Sequence, residues 1–89
     1  GLAWAPDHRT LYYIDSPRRR VERHAYDPST GELAAHPAGL VLVDTAAQLP
    51  DALPDGMASD SEGHVWVAFW GAGRVCRYHG ITGQLLRDV

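Results

Sequence analysis

The chain repeats itself. Residues 1–33, GLAWAPDHRTLYYIDSPRRRVERHAYDPSTGEL, return as residues 56–85, GMASDSEGHVWVAFWGAGRVCRYHGITGQL. Gly1 aligns with Gly56, 55 residues on, and Thr30-Gly31 with Thr82-Gly83, 52 residues on, so the shortening falls in loops. A period near fifty residues built from short strands is the pattern of a β-propeller blade. The expectation is an all-β chain of about two four-stranded blades, 1–44 and 56–89, joined by a linker over 45–55. Two blades cannot close a ring. The repeat therefore reads as part of a larger propeller, with strand-like sequence at both ends.

Eight strands are predicted, over 1–5, 10–14, 21–26, 40–44, 56–59, 64–69, 74–78 and 84–88. They are rich in Val, Leu, Tyr and Trp, as strands prefer. Turn chemistry separates them: Pro6-Asp7-His8 and Ser61-Glu62-Gly63 connect hairpins, and Asp27-Pro28-Ser29-Thr30-Gly31 is a Pro-initiated turn ending in Gly. No segment holds a helical period.

Antiparallel succession fixes which loops share a face. Taking the first strand of each repeat as innermost, its head lies on the same rim as the loop between the second and third strands. Three elements then share one rim: Leu53-Pro54-Asp55, Asp15-Ser16-Pro17-Arg18 and Trp70-Gly71-Ala72-Gly73. Asp55 at the head of an inner strand is expected to face the central channel, where a carboxylate needs a cation or donors to offset its desolvation. It can also be read as an ordinary turn residue of Pro-Asp-Gly. Asp15 and Ser16 fit strand termination by side-chain-to-backbone bonding, with substrate contact as the alternative. Trp70 either lines an entrance on that rim or packs against a neighbouring blade. His8 and His64 fall on the opposite face.

Composition narrows the partners. Eight basic residues, all Arg, stand against eleven acidic ones, for a net charge of −3. That argues against nucleic acid, and Arg18-Arg19-Arg20 reads as a solvated turn. No apolar run approaches the roughly 18 residues of a membrane span. Cys76 is the single cysteine, which rules out an internal disulfide or a paired-cysteine zinc site and suggests a small buried apolar residue. Absence of paired cysteines is compatible with the cytoplasm. Neither a G-x-S-x-G nucleophile motif nor a phosphate-cradling glycine loop is present. Trp4, Trp66, Tyr12 and Tyr13 are expected in the core between blades.

The blocks GLAWAPDHRTLYYIDS, YDPSTGEL, PDGMASDSEGHVWVAFWGAGRV and TGQLL, in that order and spacing, resemble the SMP-30/gluconolactonase/luciferin-regenerating family. The resemblance implies a six-bladed propeller with one divalent cation (calcium, zinc or manganese) in the central channel. It implies a ligand set of Glu, Asn and Asp from different blades, the Asp being Asp55, with one Asn falling just before the position of Gly1. It further implies hydrolysis of a small-molecule lactone, with Asp55 as cation ligand and catalytic residue. Two other readings of the whole protein are a calcium-binding or protein-binding propeller without turnover, and a metal-dependent phosphotriesterase-like hydrolase. The stretch by itself is expected to be inactive and marginally stable, because open aromatic faces and strand edges promote association.

Overall fold

The computed structural model describes residues 1–33, 40–47, 49 and 51–89. Its strands are β1 (Leu2–Trp4), β2 (Thr10–Asp15), β3 (Arg20–Asp27), β4 (Glu32–Leu33), β5 (Leu40–Asp44), β6 (Leu53–Ser59), β7 (Val65–Trp70), β8 (Arg74–Tyr78) and β9 (Leu85–Asp88), with a single 3-10 turn at Thr45–Ala47. They form two antiparallel meanders, β1-β2-β3-β4 with β5 also on β3, and β6-β7-β8-β9. This is the expected all-β pair of blades.

The outer position of the first sheet is divided. Glu32 and Leu33 pair with Asp27 and Tyr26 at one end of β3, while Leu40–Asp44 pairs with the Arg20 end. In the second sheet β9 fills the same position, from Leu85 opposite Tyr78 to Asp88 opposite Cys76, with a register shift between Arg77 and Tyr78. The sequence repeat fades after Leu33 and Leu85, where the pairings on the third strands of the two sheets differ. The stretch expected to be a linker, 45–55, contains the 3-10 turn and the first residues of β6, which starts at Leu53.

The core lies between the two sheets. Ala3, Ala5, Tyr12, Ile14, Val21 and Val43 of the first meet Ala52, Val65, Val67, Phe69, Cys76 and Tyr78 of the second. Period-two alternation accounts for this choice. Along β7, Val65, Val67 and Phe69 point to the seam, while Ala68 and Trp70 point away and are exposed. Val65, Val67 and Tyr78 lose all solvent contact, and each such side chain contributes about 1.5–3 kcal/mol. Alanines on the innermost strand and bulkier residues further out suit two sheets that converge toward their inner edges. Of the four aromatics expected between blades, Tyr12 lies in this seam, whereas Trp4 and Tyr13, 44% and 41% exposed, and Trp66 take sheet faces turned away from it. Strand parity decides it: Tyr13 follows Tyr12 by one residue and takes the other face. Trp4 packs edge-on against Tyr26, with ring centroids 4.5 Å apart. Cys76 is buried as expected, and burial pushes its thiol pKa up, away from the reactive thiolate.

Among the described residues, side chains bond the blades across the seam. Tyr12 Oη donates to Gly80 O at 2.9 Å, Ser16 Oγ to Pro54 O at 2.7 Å, and Ser59 Oγ to Trp4 O. Gly80 is required where it stands, since a Cβ there would collide with the backbone oxygen of Gly63 and crowd the Tyr12 hydroxyl. We expect Tyr12→Phe to lower stability by about 1 kcal/mol, because the Gly80 carbonyl loses its buried donor. Tyr13→Phe is expected to change stability far less. Urea unfolding of the two variants in a full-length protein carrying this chain checks the contrast; equal effects contradict it.

Candidate functional site

The rim inferred from strand order is assembled in the structure. Leu53 pairs with Trp70 at the outset of β6. Ser16, in the turn after β2, bonds the carbonyl of Pro54. Gly71 approaches Asp51, whose carbonyl would lie 3.7 Å from an added Cβ. The turn after β7 depends on Gly71 and Gly73, with φ of 89° and 62°, values that suit glycine.

Asp55 stands on a β-bulge. Pro54 pairs with Phe69 and Met57 with Val67, so Asp55 and Gly56 together oppose Ala68 alone. A bulge adds a residue to one strand and re-aims its side chains. Pro54 helps place it: proline within a sheet favours bulges, since it offers no ladder N–H. Pro54 is fully buried, whereas Asp55 is exposed at the head of the inner strand. Residue 1 sits directly beside it, since a Cβ on Gly1 would come within 2.8 Å of the Asp55 carbonyl oxygen. The heads of the two innermost strands, β1 and β6, are thus adjacent. The bulge was not anticipated from the sequence; a proline one residue before Asp-Gly, inside a strand rather than ahead of it, was the available signal.

The other three rim candidates differ in what they touch. Ser16 holds the backbone immediately before Asp55. Asp15, the last residue of β2, turns back on its own loop, accepting from the Arg18 backbone N–H at 3.4 Å and pairing with its guanidinium at 3.5 Å. Trp70 is the last residue of β7 rather than part of the following loop, and at 69% exposure it lies on the sheet face turned away from the first blade. Among the described residues no cluster of three or more His, Cys, Asp or Glu side chains is arranged to hold a metal ion. Asp55 supplies one hard oxygen donor, which suits a calcium-type cation but meets only part of the six to eight oxygens such a site needs.

The opposite face carries a hub that the sequence reading passed over. Asp60 Oδ1 accepts from the backbone N–H groups of Glu62 and His64, both at 3.0 Å. Its Oδ2 accepts from Trp66 Nε1 at 3.0 Å and Arg77 Nε at 2.9 Å. Arg77 also reaches Glu62 at 3.3 Å and lies 5.6 Å from the centre of the Trp66 ring. Asp7, in the matching turn of the first repeat, makes a smaller version, accepting from Arg9 N and Thr10 Oγ1. The sequence signal was there: an Asp stands in the first hairpin turn and just before the second.

The sequence profile of the SMP-30/Gluconolactonase/LRE-like region matches residues 1–89. The chain belongs to that family. Within it, the chain is 38% identical to human regucalcin over 89 residues, covering all of this chain and 28% of that protein. It is 43% identical to an uncharacterised protein of Sulfolobus acidocaldarius, of which it covers 30%. Its fold matches a luciferin-regenerating enzyme with a TM-score of 0.89 at 34% identity, over all of this chain and 28% of that one. It also matches the calcium-binding protein regucalcin of Agrobacterium tumefaciens, with a TM-score of 0.84 at 31% identity, over 99% of this chain and 28% of that one. The chain thus spans under a third of the length of these SMP-30/gluconolactonase/LRE-like relatives, and its two sheets correspond to part of their propeller fold.

The Asp60 hub yields a pH prediction. Burial works against this carboxylate, but the His64 N–H, the Arg77 guanidinium and the Trp66 indole outweigh it and hold its pKa at about 2. The folded value lies below the ordinary unfolded value of about 3.9. Its stabilisation is therefore complete above the unfolded value and is lost as pH falls through the folded one. Asp60→Asn is expected to cost about 1–3 kcal/mol near neutrality. That difference should shrink between about pH 4 and pH 2, read by urea unfolding across pH. A difference independent of pH contradicts a charged hub.

Proposed function

We propose that this chain supplies two adjoining blades to a closed six-bladed propeller that hydrolyses a small-molecule sugar lactone with the help of one divalent cation, calcium, zinc or manganese. The observation that carries the reading is Asp55: a carboxylate on a bulge at the head of an inner strand, beside the head of the neighbouring inner strand, in a chain of this family. Adjacent inner-strand heads are where ligands from successive blades can converge on the axis. A donor on the residue preceding Gly1 would lie next to Asp55, and the remaining donors would come from other blades.

Asp55 fits two tasks. As an exposed carboxylate it can hold an oxygen-ligated cation, and it can take the proton of an attacking water. A divalent cation bound there supplies Lewis-acid polarisation of the lactone carbonyl and offsets the charge that develops on its oxygen. Ser16 positions Asp55 by fixing the carbonyl of Pro54. Asp15 keeps the Ser16 turn in shape through Arg18. Trp70, exposed at the rim, offers an apolar surface to the sugar ring.

A second reading, a calcium-binding propeller without turnover, draws on the Agrobacterium relative, which is described as calcium-binding. The two separate in one experiment on a full-length protein carrying this chain: removal of metal with a chelator, then resupply with calcium, zinc or manganese, while gluconolactone hydrolysis is followed. Loss and cation-specific recovery of turnover are expected. Metal binding with no turnover of any lactone favours the binding protein. In the same assay Asp55→Asn is expected to lower kcat/KM by about 100-fold or more. Ser16→Ala is expected to weaken cation affinity by about tenfold, as loss of a supporting group does. Near-normal turnover by Asp55→Asn refutes the role given to it.

A further inference from the structure

On the face opposite Asp55, the hairpin turns of the two blades enclose an open cavity of about 370 Å³ along the seam. That is far more than one water occupies, and it lies within the range of small-molecule pockets. Ala5 and Tyr12 are among the residues that line it, and the polar groups around it are unevenly satisfied.

The acids are engaged. Asp7 accepts from Arg9 N at 2.7 Å and from Thr10 Oγ1 at 3.3 Å. Glu62 is paired with Arg77. The donors are not. Arg23 Nε is buried and has no hydrogen-bond partner among the described residues. His64 Nδ1 accepts the Gly80 N–H at 3.2 Å, and His79 Nδ1 accepts the N–H groups of Ile81 and Thr82 at the same distance. A ring nitrogen that accepts carries no proton, so in each neutral imidazole the hydrogen sits on Nε2, which then acts as a donor. The two rings stand 4.6 Å apart. No described residue bonds either Nε2. A buried guanidinium donor without a partner is costly, and Arg23, whose charge also acts on Asp7, lines this cavity together with His64 and His79.

We propose that this cavity binds a small oxyanion, a phosphate or carboxylate group, held by Arg23, His64 and His79. The guanidinium supplies the charge and the two imidazoles supply directed N–H donors. Three donors from two blades would converge on one ligand, so binding would also fasten the seam on the side away from the rim. The site is separate from the Asp55 rim and needs no cation.

The test is calorimetric titration of inorganic phosphate, and separately of acetate, into a metal-stripped full-length protein carrying this chain at constant ionic strength. Saturable one-to-one binding of at least one probe is expected. Arg23→Gln should weaken it by about tenfold or more, the worth of a charge-assisted hydrogen bond. Ile81→Trp, at a residue that lines the cavity and is 70% exposed, should obstruct entry without disturbing the core. Asp55→Asn should leave binding unchanged. Tighter phosphate or tighter acetate distinguishes the two oxyanions, and either supports the site. Absence of saturable binding by both probes overturns the proposal, as does unaltered affinity in both Arg23→Gln and Ile81→Trp.

Discussion

Everything in this structure rests on the seam between two twisted sheets. Each sheet alone offers one apolar face with nothing to cover it. Together they remove Val65, Val67, Tyr78, Val21 and Tyr12 from water. The seam also sets where the chain can do chemistry. Its two ends open on opposite faces: one carries the rim with Asp55, the other the hairpin turns with Asp60, Arg23 and the paired histidines. Each end is fastened by a side-chain bond across blades, Ser16 to Pro54 at the rim and Tyr12 to Gly80 near the turns. Displacement of the seam would move both ends at once.

The two acids at these ends use opposite physics. Asp60 is surrounded by donors, including a guanidinium, and its charge serves the fold. Asp55 is exposed on a bulge. A carboxylate saturated by the protein's own N–H groups has little to offer a ligand, whereas one left open at a strand head does. The sequence presents both as Asp beside a glycine-bearing turn, so only their surroundings tell them apart.

Much of the architecture was legible because β-structure has a simple grammar. The repeat gave two blades, and antiparallel succession alone brought Asp15-Ser16, Leu53-Pro54-Asp55 and the Trp70 turn to one rim. What escaped depends on register and on long-range packing. The bulge at Asp55-Gly56 shows only when β6 is laid against β7. The divided outer strand, β4 and β5, reflects how two segments share the edge of β3. Trp4 and Tyr13 lie on the face away from this seam, which alternation along a strand does not reveal until the register is known. Asp60 was missed because a turn aspartate is so common that its convergence with Arg77, 17 residues on, is invisible in one dimension.

The central claim is that Asp55 is a cation ligand on the axial rim. Its most direct test is a crystal structure of a full-length protein carrying this chain, grown with calcium and, in parallel, with manganese for anomalous scattering. The account predicts a single axial peak with an Asp55 carboxylate oxygen at about 2.3–2.6 Å for calcium. A cation bound elsewhere, with the Asp55 carboxylate left in solvent, contradicts it.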